Sequence, residues 1–223
     1  MKKVFFLLIV VISFASCAKD ETFSCDPDAN KWAKENYAAI QQMSRVDFLS
    51  IGNLVYQRAA YNALTPDQRQ SFWIEKMEKV LRIEWTEQES QHIQSLFELI
   101  KANVFMFSEK RDENDFEKIE IELYRWTEYA QEELKWDRSL LYAICGTLQE
   151  MNEDKKIDTY LQISPNVKNR GESCECSETS DWCNDGIMPT NINVKCKKGV
   201  CEYSSLGCGF FLLYDCNGKC EVQ

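Results

Sequence analysis

The stretch SCECSETSDWC, residues 173–183, holds three cysteines in eleven residues. It opens a tail in which Cys174, Cys176, Cys183, Cys196, Cys201, Cys208, Cys216 and Cys220 make up eight of the chain's eleven cysteines. A segment of about fifty residues buries too little apolar surface to fold by burial alone. Cross-linking is the usual remedy in exported proteins. The tail is otherwise punctuated by turn residues: Asn184-Asp185-Gly186, Lys198-Gly199, Leu206-Gly207 and Asn217-Gly218. The pattern predicts short strands between disulfides, with residues 210–214 the best strand. Zinc competes with disulfides as an explanation, but structural zinc sites commonly use Cys-x-x-Cys pairs. This tail has Cys174-x-Cys176 and Cys216-x-x-x-Cys220 instead. Four disulfides are therefore expected in a cysteine-rich domain over 173–223, with no metal and no cofactor. Their connectivity cannot be read from spacing.

The other end of the chain points to export. MKKVFFLLIVVISFASC places two lysines before an apolar run and small residues after it. This is the pattern of a signal peptide, residues 1–16, too short to span a bilayer. Phe14-Ala15-Ser16-Cys17 resembles the lipobox of bacterial lipoproteins, which implies that Cys17 is lipidated and heads a tether over 17–27. Lys19-Asp20-Glu21 resembles the surface-export tag of some Gram-negative lipoproteins. Together these imply an outer membrane lipoprotein exposed at the cell surface. Loss of residues 1–16 removes two lysines and no acid, moving the formal charge from −10 to −12. Such a chain is not drawn to nucleic acid or to anionic membranes, so membrane affinity has to come from acyl chains.

Between the two ends the sequence reads as helices, over a domain of residues 28–150. Thr65-Pro66-Asp67-Gln68 and Thr86-Glu87-Gln88-Glu89 are capping boxes. The first precedes Phe72, Trp73, Met77, Val80 and Leu81 at helical spacing. The second precedes Ile93, Leu96, Phe97, Ile100 and Val104. Further helices are expected over 28–43, 44–64, 112–136 and 137–148. Such stripes pack as a bundle. Residues 151–172 are more polar and read as a linker, in which Arg170-Gly171 fits a trypsin-like cut.

The case for an enzyme is weak. His92 is the single histidine and reads as an ordinary surface or half-buried residue on a helix. Glu117 and Glu120 share a solvated face, and no nucleophile elbow or phosphate loop is present. Cys25 and Cys145 are the remaining cysteines. A bond between them would staple the N-terminal segment to the last helix; the alternatives are bonds to the tail or a buried thiol at Cys145.

One resemblance is specific. Cys174-x-Cys176-Ser177-x-x-Ser180-Asp181-Trp182-Cys183, Cys201-x-Tyr203-x-x-x-Gly207-Cys208-Gly209 and Cys216-Asn217-Gly218 resemble, in order, the small cysteine-rich bacteriocin fulvocin C. The chain is similar to the bacteriocin fulvocin C-related family. The resemblance implies an antibacterial C-terminal module whose partner is an envelope component or receptor of a target cell. Its candidate contacts are Trp182, Tyr203, Phe210, Phe211 and Tyr214. The competing reading gives the aromatic residues to the module's own small core. A second function is a non-toxic surface module that binds a protein or glycan.

Overall fold

The computed structural model describes residues 22–24, 26–157, 174, 176–181, 183, 194–199 and 204–222. The signal peptide, Cys17, Lys19, Asp20, Glu21, Cys25, Arg170-Gly171, Trp182, Cys201 and Tyr203 lie outside these residues. The described chain is a helical bundle followed by a cysteine-rich module of short strands. The helices are α1 (Pro27–Glu35), α2 (Tyr37–Ile40), α3 (Arg45–Leu49), α4 (Leu54–Ala63), α5 (Pro66–Val80), α6 (Glu87–Ala102), α7 (Glu113–Glu132) and α8 (Arg138–Leu141). Among the described residues, no helix is long and apolar enough to cross a membrane.

Both capping boxes form. Thr65 Oγ1 accepts from Gln68 N at 3.2 Å, while Thr65 N donates to Gln68 Oε1 at 3.0 Å. Thr86 and Glu89 exchange the same pair of bonds at the start of α6. Elsewhere the expected helices are broken, and polar side chains explain the breaks. Residues 28–43 split at Asn36, which leaves helical geometry at φ −103 and caps α1 by donating to the Trp32 carbonyl from both its backbone N and its Nδ2. Residues 44–64 split before Asn53, whose Oδ1 accepts from Val55 N at 2.9 Å and starts α4 afresh. The helix expected to reach Trp136 stops at Glu132, and Lys135 turns left-handed at φ 58. Over 137–148, α8 passes into a π-turn, Tyr142–Gly146. There Gly146 is required by packing: an added Cβ would lie 2.2 Å from Tyr142 Cδ2.

The start of the expected linker is ordered. Met151 and Ile157 form a bridge, and Ile157 is buried. Lys118 pairs with Asp115 at 2.7 Å and not with Glu122, the partner its helical spacing suggests.

In the module, β1 (Val194–Lys198) pairs antiparallel with β4 (Gly218–Val222), and β2 (Ser204–Cys208) with β3 (Tyr214–Cys216). Disulfides join Cys176 to Cys196, Cys183 to Cys220 and Cys208 to Cys216. Cys174 is also disulfide-bonded, to a partner outside the described residues. Cys145 is a buried thiol whose Sγ donates to the Leu141 carbonyl at 2.9 Å. The Cys25–Cys145 staple therefore does not form, because the π-turn points Cys145 into the core.

The strand expected over 210–214 is a tight turn, Phe210–Leu212, with Phe211 and Leu212 at φ 52 and 58. Left-handed backbone costs an L-residue about 1–2 kcal/mol. It holds here because the Cys208–Cys216 bond closes the loop on both sides and the core receives the side chains.

That destination separates the fold from both sequence readings of these aromatics. Phe210, Phe211 and Leu213 belong to the same buried cluster as Trp73, Leu123, Trp126 and Ile144 of the bundle. Phe211 is fully buried and Phe210 is 7% exposed. They are neither surface contacts nor a separate core for the module. Among the described residues, the module's own buried clusters are cystine: Cys174, Cys208 and Cys216 in one, Cys176 and Cys183 in the other.

Candidate functional site

The seam between bundle and module is built around Phe211. Its ring meets Trp73 edge-on, with centroids 4.8 Å apart, and Phe210 stands edge-on to Trp126 at 6.3 Å. Such pairs contribute about 0.5–1.5 kcal/mol beyond area burial. Tyr61 joins the two parts: its hydroxyl accepts from Trp73 Nε1 at 3.1 Å and donates to the Phe211 carbonyl at 3.2 Å. Burial pushes the Tyr61 phenol up to about 12, against the pull of Arg69.

Bundle side chains also satisfy module carbonyls at the rim. Arg58 donates to Cys174, Arg111 to Leu213 at 2.8 Å, and Arg138 to Asp181. Tyr214 is mostly buried beside Phe116, 6.1 Å between ring centroids. Burial first, and then Glu120, which accepts its hydroxyl, hold its phenol well above the usual range. Of the five candidate contacts, then, Phe210, Phe211 and Tyr214 are committed to intramolecular packing. Trp182 and Tyr203 lie outside the described residues.

Glycine chemistry sets the module's approach. Gly209 sits at φ 71, and an added Cβ would lie 2.6 Å from Ser180 Cβ and 2.7 Å from Tyr214 Cδ2. Phe210 N donates to Ser180 Oγ at 3.0 Å. The Gly207-Cys208-Gly209 and Ser180-Asp181 elements read in the sequence thus meet at the seam.

Beside this plug lies a cleft of about 110 Å³. Phe48, Tyr61 and Tyr142 of the bundle and Leu212 of the module give it apolar walls, while Arg58 and Ser180 bring polar groups from opposite sides. Since a cavity of roughly 150 Å³ holds benzene, this one accepts no more than a single ring or one branched side chain. Its polar groups also hold the seam: Arg58 donates to the Cys174 carbonyl, and Ser180 Oγ accepts from Phe210 N. Sequence reading missed Arg58 and Tyr142 because neither sits in a motif; they come together only through the docking of the tail.

Three buried cations shape the bundle behind the seam. Arg69 donates to the carbonyls of Tyr61, Asn62 and Phe107. Arg45 donates to Leu148 and pairs with Glu75 and Glu150. Lys76 donates to Ala143 at 2.6 Å and to Thr147. They bond carbonyls near helix ends and the π-turn. His92 is half-buried, as read. It stacks on Trp126 at 4.5 Å, with Tyr129 and Trp136 around it, and its Nε2 lies 3.0 Å from the Trp126 carbonyl.

No protein-family model matches the chain, and neither a curated protein nor a solved structure does.

Proposed function

We propose that the protein is a lipid-anchored protein of the bacterial outer membrane, displayed at the cell surface. It recognises a protein or glycan partner through the cleft at the seam, by binding and without catalysis. One observation carries this reading. Phe210, Phe211 and Leu213 of the module are engaged in docking, and docking creates a concave site with walls from both parts. The size of the cleft limits what enters it to one ring or side chain of a larger partner.

The test is binding of the lipid-free chain to arrayed envelope glycans and peptides. Gln149 also lines the cleft, and Gln149→Trp, made to fill it, should lower affinity at least tenfold without lowering the melting temperature. Equal binding by this variant removes the cleft from the reading.

The ordered cysteine resemblance to fulvocin C favours a second reading, an antibacterial module held in check. Burying a Phe or Leu side chain contributes about 1.5–3 kcal/mol. Phe210, Phe211 and Leu213 together therefore hold the module by roughly 5–9 kcal/mol. A single cut near Arg170 does not release it against that. On this reading the oxidised module, residues 173–223, inhibits growth of close relatives of the producer and the intact chain does not. Inhibition by neither leaves the binding reading alone.

A further inference from the structure

The two disulfides nearest the β1–β4 sheet lie side by side. The Sγ atoms of Cys176, Cys183 and Cys196 all fall within 4.8 Å of one another. Cys220 is bonded to Cys183 and stands directly opposite Cys196 in the sheet register. Three sulfurs therefore share one spot, and Cys220 Sγ stands beside them through its bond to Cys183. A tetrahedral zinc tetrathiolate with Zn–S bonds of about 2.3 Å needs its sulfurs about 3.8 Å apart. Reaching that arrangement requires both disulfides to open and their sulfurs to move apart around the ion.

The surroundings are already built to hold the four residues in place. Asp181 accepts from Cys183 N through Oδ1 and from Cys196 N through Oδ2, each at 2.9 Å. Cys176 is fixed by its bridge to Gly218. Gly218 is itself required there, since an added Cβ would lie 2.6 Å from Cys196 Sγ. Lys198 stands two residues from Cys196 in β1 and so on the same face of the strand, while Lys195, Lys197, Lys219 and Glu221 alternate to the other face, where Lys197 pairs with Glu221 at 3.6 Å. Glu178 accepts from Lys198 N, and Asp181 from Cys196 N.

We propose that Cys176, Cys183, Cys196 and Cys220 form a convertible centre: two disulfides when oxidised, one Zn²⁺ site when reduced. The reductant is a dithiol. Each disulfide takes two electrons and two protons from one dithiol, which closes to its own disulfide, so two dithiols release four thiols. Zn²⁺ then displaces the four thiol protons. Cys176, Cys183 and Cys220 also line the cleft, which gives the reductant a path to the bonds.

The lipid-free chain, reduced with dithiothreitol and freed of it without air, is titrated with Co²⁺ and then Zn²⁺. One Co²⁺ per chain should bind with the absorption of a tetrahedral tetrathiolate, and one Zn²⁺ should displace it. Cys208→Ser with Cys216→Ser should leave the spectrum unchanged. Cys183→Ser with Cys220→Ser should abolish it, and Asp181→Asn should weaken Zn²⁺ by about tenfold. The absorption reads the site whether or not a variant keeps the native fold, and far-ultraviolet circular dichroism reports the bundle in each. Several Co²⁺ per chain, an octahedral spectrum, or a site that survives loss of Cys183 and Cys220 would overturn the proposal.

Discussion

The bundle and the cystine module are stabilised in opposite ways. The bundle is held by burial: aligned apolar stripes converge on residues such as Trp73, Met77, Ile93 and Ile100, all fully buried. The module is held by covalent bonds, and its interior is mainly sulfur. Among its described residues, Phe210, Phe211 and Leu213 face outward, into the bundle. The two nevertheless share one buried apolar cluster. Disulfides constrain the module's chain chiefly by limiting its unfolded states. They do not orient it, and its orientation depends on the same hydrophobic effect that builds the bundle. Each part thus supplies what the other lacks: the module closes an open face of the bundle, and the bundle shelters the module's apolar residues.

Phe211→Ala is the strongest way to break this comparison. Deleting a fully buried Phe ring costs about 3–5 kcal/mol, which for a chain of this size is on the order of 10 °C in melting temperature. Shared burial predicts that the helical signal itself melts earlier, although the substitution lies outside the bundle. Calorimetry and circular dichroism would test this. A bundle that melts unchanged while the module loosens would mean that the two parts are separate units after all.

Lys76 tests the interior of the bundle. Burial pushes its ammonium group down to about 7, with Cys145 and Glu150 pulling upward and Arg45 downward. The folded chain therefore binds fewer protons than the unfolded chain between about pH 7 and the ordinary lysine value. Stability should rise with pH across that window. Denaturant unfolding from pH 7 to 9.5, below the tyrosine range, should show the rise. Lys76→Met should flatten it, since no titrating group remains at the position. A slope unchanged in Lys76→Met would assign it elsewhere.

How much of this was legible follows from what each signal depends on. The capping boxes at Thr65 and Thr86 are local, so the sequence located both helix starts. The breaks at Asn36 and Asn53 depend on side chains choosing backbone partners, which periodicity does not register. Arg45, Arg69 and Lys76 sit in no sequence motif; their burial is set by carbonyls up to 103 residues away. Phe210 and Phe211 were visible as an apolar run. Their destination was not, because the docking of the tail is a long-range event with no local mark. The same holds for the cleft, whose walls come from segments far apart in the chain. The cysteine count predicted disulfides correctly, while their side-by-side placement needed the register of β1 against β4.

A smaller effect separates local from shared stability. Thr86→Ala removes the oxygen that accepts from Glu89 N at the start of α6 and should cost about 1 kcal/mol. Because α6 belongs to the common core, the loss should appear in the whole unfolding transition and leave its slope with denaturant unchanged. A loss confined to fraying of α6 would mean that this helix opens apart from the rest.

The smallest expected effect is the pH response of His92. Burial holds its imidazole below the usual histidine value, opposed by the bond to the Trp126 carbonyl. Above the unfolded value of about 6.5 the ring is neutral in both states and has no influence. As pH falls below that, the unfolded chain takes up a proton that the folded chain resists, so stability declines toward the folded value. The ring is only partly sheltered, which keeps the decline shallow. It is best read between pH 5 and 6.5, above the range where most carboxylates titrate. His92→Phe keeps a ring between Trp126 and Trp136 and removes the proton. Its unfolding free energy should therefore fall less over this window than that of the parent chain. Parallel profiles would show that the stacked imidazole titrates alike folded and unfolded, and that the acid response belongs to other groups.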